Sequence, residues 1–174
     1  MRKVSGYMLT WTTYGSWLQG DKRRYVKNGR ILDPDPLLEN ANKANMSYPK
    51  VLLTAEQREI IEKAIFEESI SLKQKILASS VGKNHIHIVT DCNFVSAQSA
   101  VSHYKNAARL AVQADGFVGR LWTKGYSVRY CFDDRQLRVV IAYVNRHKKS
   151  GSPVVYPRGK ITESPTVYPW GLKL

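Results

Sequence analysis

The stretch QKILASSVGKNHIHIVT, residues 74–90, decides how this chain folds. Residues 74–81 read as one strand and 85–90 as a second, joined by a turn at Gly82-Lys83-Asn84. Side chains two apart on a strand point to the same side. His85 and His87 therefore project together, while Ile86 and Ile88 project to the opposite face. In a sheet with helices packed on one side, the isoleucines take the core and the imidazoles take the open face. Two neutral imidazoles about 6–7 Å apart along a strand can share one divalent ion, provided that further ligands come from elsewhere in the fold. Taken in isolation, His-Ile-His is also an ordinary surface pattern on a half-exposed strand.

Outward from this hairpin, the flanking segments are helical. Thr54 and Gln57 fit a capping box, and Ile61, Ala64 and Ile65 give helical spacing up to about Leu72. Residues 96–114 form a second helix. Residues 6–13 (GYMLTWTT) and 126–132 (YSVRYCF) read as strands. Asp133 stands where an N-cap belongs, and a third helix runs over 134–148 with Leu137, Val140, Ile141 and Val144 as its apolar stripe. Residues 19–50, with scattered Gly, Pro and Asn, read as a long irregular insertion, and 151–174, with four prolines, as an extended tail. The expected order is β-α-β-β-α-β-α. This is an α+β class whose first six elements make a ferredoxin-like sheet, followed by an additional C-terminal helix, all within one domain over 1–150. Many unrelated functions share that architecture.

On the last helix Tyr143 and His147 are four residues apart and stack one turn apart on one face. Both fall at the border between the apolar stripe and open surface. His147 can thus join His85 and His87, so that one ion accounts for three of the four histidines. A phenol with a pKa near ~10 is a weak nucleophile at neutral pH, and phosphoryl transfer to it needs an electrostatic partner. Tyr104, beside His103 and Lys105, is a competing nucleophile. The bland alternative is a tyrosine packed on the sheet and a helix-end cation at His147.

Charge points to the partner. Twenty-seven Lys and Arg against 14 Asp and Glu give a formal net charge of +13, a field that attracts polyanions. Basic residues gather at Lys22, Arg23, Arg24, Lys27 and Arg30, and again at Arg146, Lys148 and Lys149. Trp11, Trp17, Trp122 and Tyr126 lie in or near these segments. Cations on phosphates with rings stacking on bases is the usual logic for single strands, although most such rings pack in cores. Five Glu between Thr54 and Leu72 turn that helix away from nucleic acid. Two cysteines cannot form a disulfide framework, and no signal-peptide core or membrane-spanning run is read, so a cytoplasmic protein with no membrane partner is expected.

Four segments together resemble the single-tyrosine HUH transposases, and especially the REP-associated tyrosine transposases. They are TWTTYGSWLQGD (10–21), His85-Ile86-His87, RLWTKGYSVRYCFDD (120–134) and the YVNRH helix around Tyr143. The resemblance implies a metal-dependent nuclease and strand transferase that cuts single-stranded DNA near a hairpin. It implies Mg2+ or Mn2+ as cofactor, His85, His87 and His147 as metal ligands, and Tyr143 as the nucleophile that forms a 5′-phosphotyrosine. Relatives occur as monomers and as homodimers. Where the family usually has Asn or Gln four residues after the tyrosine, this chain has His147. Where the family commonly has an acidic residue before the first histidine, it has Asn84, to which no role is assigned. Two other classes stay open: a catalytically silent hairpin DNA- or RNA-binding domain on the same fold, and a structural zinc protein, disfavoured by the lack of a thiolate cluster.

Overall fold

Strand β1 (Gly6–Thr12) runs through the middle of the molecule, and its neighbours explain the rest of the architecture. The computed structural model describes residues 4–27 and 30–150. β1 pairs antiparallel with β5 (His85–Asp91) on one side and with β6 (Ser127–Cys131) on the other. β4 (Ile76–Val81) pairs antiparallel with the free side of β5, giving the strand order β4-β5-β1-β6. That order is the split β-α-β sheet expected from the sequence.

Helix α2 (Ala55–Ser71) starts at the predicted capping box. Thr54 Oγ1 accepts from the Gln57 amide at 3.2 Å, and Gln57 Oε1 accepts from the Thr54 amide at 3.1 Å. Such caps satisfy donors that the helix itself leaves orphaned and contribute about 1 kcal/mol. α3 (Ala97–Ala114) is capped by Ser96, whose hydroxyl accepts from the Ser99 amide at 3.1 Å. α4 (Asp134–Ser150) begins where Asp133 accepts from the Gln136 amide at 2.7 Å.

α2 and α3 pack on each other, and each also contacts the sheet. Their side of the sheet holds the main core, with Leu9, Trp11, Ile61, Ile65, Ile86, Ile88, Val101 and Tyr104 all nearly inaccessible. Each fully buried Ile or Leu is worth roughly 1.5–3 kcal/mol relative to exposure. α4 lies across the opposite side, against β4, β5, β1 and β6. Val140 and Val144 pack there with Met8, Ala78, Val89 and Cys131 in a smaller core.

Two expectations need correction. The face expected to be open is roofed by α4, because the apolar stripe of that helix has to be buried somewhere and the sheet's second face is where it lands. The segment 19–50 is not irregular throughout. It contains a short hairpin, β2 (Tyr25–Lys27) with β3 (Arg30–Leu32), and a helix α1 (Pro36–Ala44). Asp35 caps α1 by accepting from the Leu38 amide at 3.0 Å, and Pro36 occupies its first turn, where no amide is needed. α1 buries none of its residues fully. Gly20, at φ +95°, is required there: a Cβ would come within 2.4 Å of the Asp35 carbonyl oxygen. The expected tail, 151–174, lies outside the described residues.

Candidate active site

The β4–β5 turn is stitched in place by backbone bonds from two directions. Leu53 N donates to Lys83 O at 2.7 Å, and Thr13 N donates to Asn84 O at 3.0 Å. The strand that leaves this turn carries His85, 8% exposed, and His87, 0% exposed, on the α4 side of the sheet. Their rings lie 5.1 Å apart, centre to centre. α4 brings Tyr143 and His147 over them, with these two rings 4.4 Å apart on successive turns. His147 is 5.6 Å from His87 and 6.4 Å from His85, and Tyr143 is 5.8 Å from His87. The structure thus brings together four side chains that the sequence singled out from two elements nearly sixty residues apart.

Polar partners hold the two strand histidines. His87 Nδ1 lies 2.7 Å from Thr10 Oγ1, a buried hydroxyl that the β1–β5 register sets directly opposite. His85 Nδ1 lies 2.8 Å from Asn84 Oδ1. His87 Nε2 is buried without a hydrogen-bond partner among the described residues. Burial pushes His87 down to about 3, with the His85 and His147 charges adding to the effect. Burial likewise takes His85 to about 4, helped by His147 and Arg23. Both imidazoles are therefore neutral at pH 7, the form in which histidine ligates a metal. Thr10 and Asn84 were not singled out from the sequence. Asn84 was visible as the neighbour of His85, but Thr10 emerges only once the strands are in register.

A cavity of about 240 Å³ opens beside the histidines, lined in part by Gly82, Lys83, His85, His147 and Glu62. Gly82 keeps it clear: a Cβ there would sit 3.0 Å from His85 Cε1 and 3.2 Å from Nε2. Glu62 accepts from Ser79 at 2.5 Å and from Lys148 at 2.7 Å. Burial opposes its charge, but these two donors bring its pKa below the usual value. Among the described residues no three His, Cys, Asp or Glu side chains stand as a ready-made metal cage. The donor chemistry nonetheless fits a cation, since two neutral imidazoles lie side by side and one of them keeps a buried ring nitrogen without a partner among the described residues.

Tyr104 is nowhere near this cluster. It is 0% exposed on the α2–α3 side, donates to Gln74 Oε1 at 2.7 Å, and burial raises its pKa.

The expected nucleic-acid contacts divide. Lys22, Lys27, Arg30 and Arg146 are exposed. Arg24 is exposed beside Asp33 at 3.1 Å, a pairing that surface solvation leaves nearly worthless. Lys148 is exposed but tethered to Glu62, and the side chain of Lys149 lies outside the described set. Arg23 is exposed but held by partners within the chain. Its guanidinium grips Asp21 through Nε and Nη2 at 2.7 and 2.6 Å and donates to Ser16 O at 2.8 Å, with the group 5.1 Å from the Trp17 ring. It is a structural clamp on the loop after β1. Trp122 corrects the expectation. It is 7% exposed, edge-on to Trp11 at 6.1 Å, and donates to Lys105 O at 2.9 Å, so it offers no ring face to a base. Among the described residues no helix is long and apolar enough to cross a membrane.

No curated protein matches the chain. A solved REP-associated tyrosine transposase bound to a REP hairpin is similar in fold, with a TM-score of 0.53 at 14% identity, covering 86% of this chain and 71% of that one. A transposase-type protein from Deinococcus radiodurans R1 aligns with a TM-score of 0.49, 14% identity, and 84% and 92% coverage. Residues 44–147 match the family described as transposase IS200-like. That span runs from the end of α1 through the histidine strand to His147. On it, the chain belongs to the IS200-like transposase family.

Proposed function

We propose that this transposase is a single-tyrosine enzyme that nicks and rejoins single-stranded DNA beside a hairpin. The observation that carries the reading is the stacking of Tyr143 and His147 on α4 directly over His87. Tyr143 is the nucleophile. Its oxygen bonds to the phosphorus as the phenolic proton is lost, and the bond from phosphorus to the 3′ oxygen breaks, releasing a 3′-hydroxyl. The product is a 5′-phosphotyrosine. Attack by an incoming 3′-hydroxyl reverses the step and frees the tyrosine.

α4 supplies the positioning. Val140 and Val144 lock the helix against the sheet, so the phenol is presented without a search over conformers. His85 and His87, joined by His147, would hold a divalent ion, which polarises a bound phosphate and offsets its developing charge. A nitrogen-rich donor set favours Mn2+ and later transition metals over Mg2+, which prefers oxygen. The hairpin substrate is carried over from the REP hairpin bound by the structurally similar transposase, and the net charge of +13 suits it.

The test is covalent capture. Labelled hairpins from sequence flanking the gene, incubated with the protein and Mn2+, are expected to give a protein–DNA band that survives denaturation. Tyr143→Phe should lose that band while retaining hairpin binding, since the ring and its packing remain. An adduct undiminished in Tyr143→Phe overturns the assignment. Tight binding with no adduct in the wild type would instead describe a silent hairpin-binding domain.

A further inference from the structure

We propose that Thr10 and Asn84 are positioning residues that fix both strand histidines as the Nδ1–H tautomer, leaving each Nε2 as a bare lone pair for a cation. The inference rests on the metal-binding reading of the site, and assigns to two other residues the task of preparing it.

What each partner atom can donate or accept decides the tautomer. The Asn84 oxygen facing His85 Nδ1 at 2.8 Å is a carbonyl, which accepts and cannot donate. That contact is a hydrogen bond only if the proton sits on Nδ1. Nε2 of His85 is then unprotonated, on the ring edge that faces Gly82 and the cavity. The hydroxyl of Thr10, 2.7 Å from His87 Nδ1, can act in either sense. The other end of the ring decides. His87 Nε2 is buried with no partner among the described residues. A proton there would be a buried donor facing no protein acceptor among the described residues, whereas a lone pair there is the lesser loss and the useful one. Metal-ligating histidines are generally oriented in this way, by an acceptor on the nitrogen that does not bind the metal.

Both acceptors are held in place by the sheet. Thr10 faces His87 across the β1–β5 ladder, where directly opposed side chains are nearest neighbours. The backbone carbonyl of Asn84 receives Thr13 N at 3.0 Å and Thr13 Oγ1 at 3.4 Å. Thr13, itself 0% exposed, also donates to Val51 O at 2.7 Å. β1 therefore supplies the acceptor for one histidine, and Thr13, the residue just past its end, anchors the acceptor of the other.

The experiment reads the rings before it reads any activity. Long-range 15N–1H NMR of the metal-free protein, at a pH where both imidazoles are neutral, distinguishes Nδ1–H from Nε2–H. Both His85 and His87 are expected as Nδ1–H. Thr10→Val should release His87 into a tautomer mixture and Asn84→Leu should do the same to His85. Each should weaken Zn2+ binding by calorimetry by about 10- to 100-fold. Thr10→Ser and Asn84→Asp, which restore an acceptor oxygen, should hold both the tautomer and the affinity, and they guard against misreading a folding defect. Nε2–H rings in the wild type overturn the proposal. So does unchanged Zn2+ affinity in folded Thr10→Val and Asn84→Leu. Nδ1–H rings in a wild-type protein that takes up no Zn2+ would uphold the tautomers and count against the metal-binding reading instead.

Discussion

Strand β5 serves two environments at once. Ile86 and Ile88 enter the core beneath α2 and α3, where apolar side chains meet apolar side chains. One residue away on either side, His85 and His87 are just as buried, yet they face α4 through a layer of polar atoms: Thr10, Asn84, Tyr143 and His147. On the first face Tyr104 donates to Gln74 and Gln74 to Tyr7, while Trp11 Nε1 is buried without a hydrogen-bond partner among the described residues. On the second, His87 Nε2 is likewise buried without a partner among the described residues. Equal burial therefore does not mean equal purpose. An indole N–H can only donate, whereas an imidazole nitrogen can hold a lone pair, so only the second face keeps an atom able to take a cation.

The sharpest way to break this contrast is to mutate adjacent positions on the strand. Ile88→Ala should cost about 2–5 kcal/mol of folding free energy by leaving a cavity in a well-packed core. His87→Leu should cost far less in metal-free protein, because an apolar residue of similar bulk replaces a desolvated imidazole, while cation binding is lost. Urea unfolding alongside metal titration reads both. Similar stability losses in the two variants would erase the distinction between the faces.

Acid is the next probe. In the folded chain His85 titrates at about 4 and His87 at about 3, both below the ordinary histidine value of 6.5. Below pH 6.5 the unfolded chain takes up protons that the folded chain refuses, so stability falls as pH drops from 6.5 towards these values. The expected loss by pH 4 is on the order of a few kcal/mol in total. His87→Leu should flatten the stability profile between pH 6.5 and 4. Asp21 and Glu62, whose carboxyls are held below their usual values, are common to both proteins and cancel in the comparison. Parallel profiles would show that the imidazoles are not buried as neutral groups.

A smaller effect separates the two roles open to His147. His147→Ala is expected to weaken Mn2+ binding by ~10-fold, and His147→Gln to keep binding with a shift in preference towards Mg2+. Unchanged Mn2+ affinity in His147→Ala, with melting temperature slightly lower, would reduce His147 to a helix-end cation. The smallest expected effect lies on the surface. Arg146→Ala should lower the log–log salt slope of hairpin binding by about one unit. Arg23→Ala, by contrast, should loosen the loop it clamps to Asp21 and leave the slope nearly untouched. A flatter slope in Arg23→Ala would return that residue to the DNA surface.

Much of this protein was written in local pattern. Period-two alternation separated Ile86 and Ile88 from His85 and His87, and the four-residue step joined Tyr143 to His147, because strand and helix geometry follow from the backbone alone. Caps at Thr54 and Asp133 marked helix starts for the same local reason. Other features had no local signature. Helix α1 is short, buries none of its residues fully, and lies among the Gly, Pro and Asn of residues 19–50 that read as irregular. Trp122 and Arg23 look like nucleic-acid contacts by composition, but a ring's partner and a guanidinium's partner are set by what packs around them. The acceptor for His87 depends on the register between β1 and β5, residues 77 positions apart. That α4 roofs the histidines instead of leaving them open follows from the need to bury its apolar stripe against the second face. Sequence alone determined which residues share a face, since that is a property of a few consecutive dihedral angles. Only the tertiary structure decided which faces meet, since that depends on how the whole chain hides its apolar surface at once.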